Sequence, residues 1–498
     1  NVCCIMEAWR RAEFDILGRS ALGGTMDEFQ GVDPMKVNLI FPFPQDMIEP
    51  LGGTIFLEDV LRRAFGWGKT NFIPPLSLLM LGAVTPPDIE VKIIDERIEK
   101  PDYDEPVDLV GISVVTRSAP RAYQIAEEYR NRGVKVALGG IHPSALPAEA
   151  AQHADTVVLG EGEGVWPELL RDFQQGKLQP IYRGRVQMDL DALPFPRREL
   201  IRNPDMYVTT KAIAATRGCP NTCAFCAAGV GLIKKYRKRS VENVIRELEQ
   251  VPGDIADFVD DNTGCDPEYF KALMRAMIPL RLKWSTSVSV NALEDAETIN
   301  LAAKSGCYSL GVGFESLSPK TLASIRKDKT NRPERYAECI RRAQEAGMAA
   351  WGNFIVGFDE DTGESIREVV DFVNRTNLEI ACVYILVPYP GSAIYKQYRN
   401  EGRLLHQNWR YYEPADGPCV YIPKQMTPDE LMDSYLEINE RLYSWKSILR
   451  RLARSKSFPS FGTLAALHIN IQNRRAIPLQ KAQARRYREY LRLEGPNL

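Results

Sequence analysis

Short apolar runs separated by polar stretches of helical spacing recur along the first half of the chain. Lys36–Pro42 is apolar enough for a strand covered on both faces, and Ile89–Asp95, Val107–Val115, Val134–Gly140 and Asp155–Gly160 repeat the pattern. Helical spacing runs from Ala119 to Arg132 and again around Trp166–Phe173. Strand–helix units joined by short turns predict a parallel sheet of doubly wound, Rossmann-like type. Ligands in such sheets sit beyond the carboxyl ends of the strands. Those ends carry Ser113, Gly139-Gly140-Ile141-His142 and Gly160–Gly164, with Glu161 in the last segment.

Residues 181–207 are proline-rich (Leu193-Pro-Phe-Pro-Arg-Arg198) and read as an irregular linker. A second alternating series follows. Its strands are expected at 212–217, 255–260, 282–290, 307–314, 348–356 and 379–387, and its helices near 240–250, 266–277, 294–304, 333–346 and 364–376. Ser240 and Asp266 stand where N-caps belong, and Gly306 and Gly347 where helices should stop. Six strands with helical crossovers fit a partial, TIM-like (β/α)6 barrel. From about residue 405 the pattern turns helical. The expected organisation is an extension (1–34) ahead of Met35-Lys-Val-Asn, a Rossmann-like domain (35–180), the linker (181–207), the barrel (208–404) and a small α-helical C-terminal domain (405–498).

Composition narrows the function without naming it. The hydrophobic fraction is 44%, the charged fraction 26% and the net charge −2 with a pI near 6.3, so no basic face argues for a nucleic-acid partner. The local basic runs, 447–455 and 484–492, read as solvated helix faces. No apolar run is long enough to span a bilayer, and the start lacks a secretory pattern. Of ten cysteines, three crowd into eight positions and the rest are scattered, which is not a disulfide framework. A reducing, cytoplasmic setting is expected. The adjacent Cys3 and Cys4 make a poor ligand pair.

The strongest chemical signal is Arg217-Gly-Cys-Pro-Asn-Thr-Cys-Ala-Phe-Cys226, just after the first barrel strand. Cys219, Cys223 and Cys226 supply the thiolates an iron–sulfur cluster requires. Three ligands on a four-iron cube leave one iron open to a small chelating molecule. A zinc knuckle is the competing reading, but zinc prefers four ligands, and none of the four histidines falls within 60 residues of Cys226.

With its aromatic residue before the third cysteine, this loop resembles the radical S-adenosylmethionine (SAM) superfamily. The accompanying motifs resemble its cobalamin-binding subfamily over about residues 36–400. The resemblance implies a [4Fe–4S] cluster, SAM and cobalamin, and reductive SAM cleavage to a radical. It also implies a small-molecule substrate and an electron donor such as flavodoxin or ferredoxin. Phe258-Val-Asp-Asp-Asn262 resembles the segment near the SAM amino group, which brings in Asp260, Asp261 and Asn262. Gly311-Val-Gly-Phe-Glu-Ser316 aims Glu315 at the SAM ribose or methionine end, with Ser287 a weaker candidate. Asn353-Phe-Ile-Val-Gly-Phe358 lets adenine approach the backbone at Gly357, and Val387-Pro-Tyr-Pro-Gly-Ser392 matches a further motif. Ser113, Gly139, Gly140 and Glu161 fall at the expected cobalamin edge.

One departure stands out. No Asp-x-His-x-x-Gly follows the first strand, where the chain reads Pro42-Phe-Pro-Gln-Asp-Met, so no cobalt-ligating histidine is expected there. His142 and His153 are expected at a polar rim or surface. The implied reaction is methylation of an unactivated carbon. Alternatives are cyclisation, oxidation or carbon–carbon coupling, for which Cys265, Cys307, Cys382 and Cys419 offer thiols for an extra cluster, and a non-catalytic zinc or cluster protein. Tyr411, Tyr412, Tyr421, Tyr435, Tyr443 and Trp445 read as core or as a cap on the barrel mouth. The C-terminal segment loosely resembles that of lipid-modifying members such as hopanoid methylases, implying an apolar or polycyclic substrate.

Overall fold

Two six-stranded parallel sheets organise the chain in the computed structural model, which describes residues 34–44, 72–184, 188–227, 235–413 and 417–495. The extension with Cys3 and Cys4, and the segment from Gln45 after the first strand, lie outside the described residues. The described residues from Lys36 onward pack as one compact unit.

The amino-terminal sheet comprises β1 (Lys36–Phe41), β2 (Glu90–Asp95), β3 (Leu109–Ser113), β4 (Lys135–Gly139), β5 (Thr156–Leu159) and β6 (Ile181–Arg183), ordered β2-β1-β3-β4-β5-β6. Helices α1 (Leu76–Val84), α2 (Ala119–Asn131) and α3 (Trp166–Gln174) provide crossovers. β3 is buried at four of its five positions, which explains why its sequence is apolar on both faces. Strand β6 corrects the linker reading. The proline-rich stretch begins with three residues that hydrogen-bond along β5, with Val157 opposite Ile181.

The second sheet is ordered β14-β13-β12-β11-β10-β7. Its strands are β7 (Ala212–Ile213), β10 (Ile255–Phe258), β11 (Lys283–Val288), β12 (Cys307–Glu315), β13 (Ala349–Val356) and β14 (Ile380–Ile385). The strand expected at 212–217 is broken. After β7 the chain leaves the sheet, and Thr216–Arg217 (β8) pairs antiparallel with Arg237–Lys238 (β9), making a hairpin that brackets the cysteine loop.

Crossover helices are α4 (Val241–Gln250), α5 (Pro267–Met277), α6 (Ala296–Lys304), α7 (Pro333–Glu345), α8 (Gly363–Thr376) and α9 (Ala393–Asn400). The expected caps form: Asn243 N–H donates to Ser240 Oγ at 3.2 Å, and Tyr269 N–H to Asp266 Oδ1 at 3.1 Å. The stops at Gly306 and Gly347 fall just past α6 and α7.

Three C-terminal helices, α10 (Pro428–Leu442), α11 (Trp445–Arg454) and α12 (Phe461–Glu494), pack on the barrel. Tyr412, Tyr421, Tyr435 and Tyr443 are buried core residues rather than a cap on the mouth, and Tyr443 Oη donates to Ala381 O in β14. Trp445 is exposed. Among the described residues, no helix is long and apolar enough to cross a membrane.

Candidate active site

A cavity of about 350 Å³ lies where the carboxyl ends of the two sheets meet. Ser113, Gly139, Gly140 and Glu161 line it from the amino-terminal sheet. Thr216, Arg217, Gly218, Asp260 and Asp261 line it from the barrel. Residues far apart in sequence thus share one volume, as the carboxyl-end rule requires of each sheet separately. Leu190, Leu193 and Phe195 of the linker form part of the apolar wall, a contribution its irregular sequence did not announce.

The cysteine loop is held from three sides. Asp260 is buried, and its two oxygens accept the Ala215 N–H at 3.2 Å and the N–H and hydroxyl of Thr216. Burial raises its carboxyl to about 6 against those hydrogen bonds. Asp260 thereby ties β10 to the start of the cysteine loop while lining the cavity beside Asp261. Asp261 is exposed at the cavity wall and accepts the Gly218 N–H.

Asn262 is buried and doubly anchored. Ser289 N–H donates to its Oδ1 at 3.1 Å, and its Nδ2 donates to Ser289 Oγ at 2.8 Å. A backbone N–H can only donate, so this pairing fixes which amide atom is oxygen. The second Nδ2 hydrogen faces Cys219 Sγ at 3.9 Å.

Glu315 ends β12 at φ 63°, where the register with β13 slips between Gly313 and Glu315. Its carboxylate pairs with Lys327 Nζ at 3.3 Å, and both groups are buried. Burial pushes the Cys223 thiol up to about 11, the Cys226, Glu315 and Cys219 charges push the same way, and the Lys327 ammonium opposes them. The three thiols, Glu315 and Lys327 therefore lie within mutual electrostatic reach. Among the described residues, however, no three Cys, His, Asp or Glu side chains close around one ion position. A tetrahedral zinc site would need sulfurs about 3.8 Å apart. In a cube each thiolate takes a different iron, so a wider spread fits.

The Radical SAM superfamily model matches residues 213–373, and the B12 binding domain model residues 70–170. Bacteriochlorophyllide d C-8(2)-methyltransferase of Chlorobaculum tepidum is 31% identical over 405 residues, covering 76% of this chain and 87% of that protein. The chain belongs to the cobalamin-binding branch of the radical SAM superfamily. The C-12(1)-methyltransferase of the same organism is 29% identical over 389 residues, covering 76% of this chain and 84% of that protein. A solved radical SAM methyltransferase, TsrM from Kitasatospora setae with cobalamin and a [4Fe–4S] cluster bound, shares the fold. The alignment has a TM-score of 0.59 and 15% identity over 89% of this chain and 99% of that one.

This radical SAM protein is an enzyme whose cofactors are a [4Fe–4S] cluster, SAM and cobalamin. The residues present fit them. The three thiols stand on one loop, and metal binding requires their deprotonation, which nearby Lys327 favours. Ser113 and Gly139 leave the carboxyl edge of the amino-terminal sheet open to the cavity. At Gly140 the crowding is internal, because a Cβ would lie 2.8 Å from the Val114 backbone.

Other candidates take different work. Glu161 pairs with Arg237, whose Nη1 donates to Glu161 Oε2 at 3.0 Å, and Arg217 Nη2 donates to Glu163 Oε1 at 2.6 Å. The Gly160–Gly164 loop thus clamps the β8–β9 hairpin around the cysteine loop. Arg217, Arg237, Lys327 and Ser289 were missed in the sequence because each acts through a partner distant along the chain. Ser287 faces Gly311, where a Cβ would lie 3.1 Å from its Oγ. Gly357 does not leave its Cβ side open to a ligand. A Cβ there would fall inside contact distance of the Tyr421 hydroxyl and 2.6 Å from Leu431 Cδ2, and Tyr421 Oη donates to Gly357 O at 2.6 Å.

His142 is fully buried against Tyr123 and Glu149, and His153 stacks on Tyr123 at 3.9 Å. His142 therefore belongs to the packing rather than to the rim. Of the remaining thiols, Cys265 lies within electrostatic reach of Cys219, whereas Cys307 bonds the Ser309 carbonyl, Cys419 the Tyr421 carbonyl, and Cys382 accepts from Trp351 Nε1 at 3.2 Å.

Proposed function

We propose that this enzyme methylates an unactivated carbon of a flat, largely apolar small molecule, with Cys219, Cys223 and Cys226 holding the cluster. The observation that carries the reading is the shared cavity, which sets the Ser113–Gly139 edge against the Gly218 and Asp260–Asp261 edge. When bound, the cofactors supply reductive cleavage of SAM and the methyl group to be transferred. The chain's own residues orient and exclude water. Asp260 and Asn262 fix the cluster loop, Glu315 and Lys327 set its charge, and the Leu76, Met80, Leu81 and Phe195 side chains make an apolar wall.

The substrate class is supported by that wall and by the likeness to methyltransferases named for a bacteriochlorophyllide. The test supplies reconstituted enzyme with SAM deuterated in its methyl group and with chlorin and polycyclic lipid candidates. A product carrying the deuterated methyl on carbon supports the proposal. A substrate altered without label replaces it with cyclisation or oxidation.

A further inference from the structure

The basic run at 447–455 does not behave as one solvated face. Arg451 is fully buried, donating to Leu378 O at 2.6 Å and to Leu442 O and Asn470 Oδ1 at 3.0 Å, while Ser447, Ile448 and Leu452 pack beside it. The opposite face of α11 is exposed and carries two parallel stripes with four-residue spacing. One is apolar, Trp445, Leu449 and Ala453. The other is basic, Lys446, Arg450 and Arg454. Leu449 is 57% exposed, and Phe458, just beyond the helix, 55%. None of the three basic side chains forms an ion pair with a described residue, and Arg474 stacks on the Trp445 ring at 5.4 Å, adding a fourth positive charge. Isolated exposed apolar residues are ordinary. A tryptophan, a leucine and a phenylalanine beside unpaired cations are the composition of an interfacial helix.

Position chooses among occupants. Arg451 grips the carbonyls of Leu378 and Glu379, and Ser457 bonds Glu379 Oε1 at 2.8 Å, immediately before β14. Gly462 lies against Tyr308 O and Ala349 N at the starts of β12 and β13. This segment therefore covers the amino-terminal end of the barrel, whereas the cysteine loop lies at the other end. Eight residues of β13 alone span about 26 Å. An electron donor seated on α11 would be separated from the three thiols by the barrel's length. A second copy would oppose like charges across a symmetric contact.

We propose that this face of α11, with Phe458, docks the enzyme on an anionic lipid bilayer. The apolar stripe enters the headgroup boundary and the cations lie against the anionic headgroups, leaving the cavity end directed away from the lipid. The test is flotation of the full-length reconstituted enzyme with phosphatidylcholine vesicles, with and without phosphatidylglycerol, at low and high salt. Binding is expected to phosphatidylglycerol vesicles only, and to weaken with salt. K446Q/R450Q/R454Q should weaken it by roughly fivefold per charge removed, about a hundredfold together. W445S/L449S/F458S should also weaken it, and both variants should keep wild-type deoxyadenosine formation from SAM, which shows that they fold. The proposal is overturned if the wild-type enzyme ignores phosphatidylglycerol vesicles, if either variant binds them as wild type does, or if the face instead captures an acidic flavodoxin.

Discussion

Replacing Gly357 by alanine separates a structural role from a ligand-binding one. The glycine stands at φ 97°, a conformation that costs an L-residue about 1–3 kcal/mol. Its added methyl would press on the Tyr421 hydroxyl and on Leu431, both fully buried, and overpacking of that kind costs a further ~1–3 kcal/mol. Displacing Tyr421 also weakens its hydrogen bond to Gly357 O, worth about 1 kcal/mol. Gly357→Ala should therefore lose about 3–7 kcal/mol. A chain of this size does not unfold in one step, so the readout is apparent Tm at a fixed scan rate under anaerobic conditions. A fall of several degrees is expected. The penalty should shrink in a Tyr421→Phe background, because the clashing oxygen is then gone while the left-handed strain remains. An unchanged Tm with weakened SAM binding would refute this reasoning and return the open side of Gly357 to the adenine.

Three further outcomes follow from named contacts. Asn262→Ala removes the N–H facing Cys219, and hydrogen bonds to cluster sulfurs help set potential, so the midpoint in an EPR-monitored redox titration should move negative; an unmoved midpoint would show that the amide merely braces Ser289. Glu163→Gln breaks the ion pair with Arg217, with a loss of about 1–3 kcal/mol at a pair already partly open to solvent, and should raise deoxyadenosine formed per methylated product as the hairpin loosens from the Gly160–Gly164 loop; an unaltered ratio would argue against a clamp. Asp361 accepts the Gly357 and Phe358 N–H groups, and burial lifts its carboxyl to about 6. The native state then keeps its proton to higher pH than the unfolded chain does, so stability declines as pH rises from about 4 through about 6. Asp361→Asn should flatten that part of the pH–Tm curve, and an identical slope would contradict the assignment.

Strands were legible because parallel strands covered on both faces must be apolar throughout. β1, β3 and β5 sit inside the runs that announced them, and Ser240 and Asp266 cap the helices they preceded. The three residues of β6 escaped because an edge strand set among prolines has too little periodicity to read. The cysteine loop was legible as chemistry, since spacing alone brings three thiols onto one turn. Its support was not. Asp260 resembles a ligand-binding acid in sequence, yet its partners Ala215 and Thr216 lie 45 and 44 residues away. Glu161 was legible as a residue of the cavity edge, but its pairing with Arg237, and that of Glu163 with Arg217, was not. The run at 447–455 misled because consecutive helical residues point about 100° apart, which turns Arg451 inward while Arg450 stays exposed.

The central claim is that Cys219, Cys223 and Cys226 hold a cube with one iron left for SAM. The direct test is anaerobic reconstitution followed by metal analysis and incubation with SAM under a strong reductant. About four irons per chain, with deoxyadenosine released by the wild-type enzyme and abolished by alanine at any of the three cysteines, is the predicted result. One zinc per chain with intact SAM would contradict it.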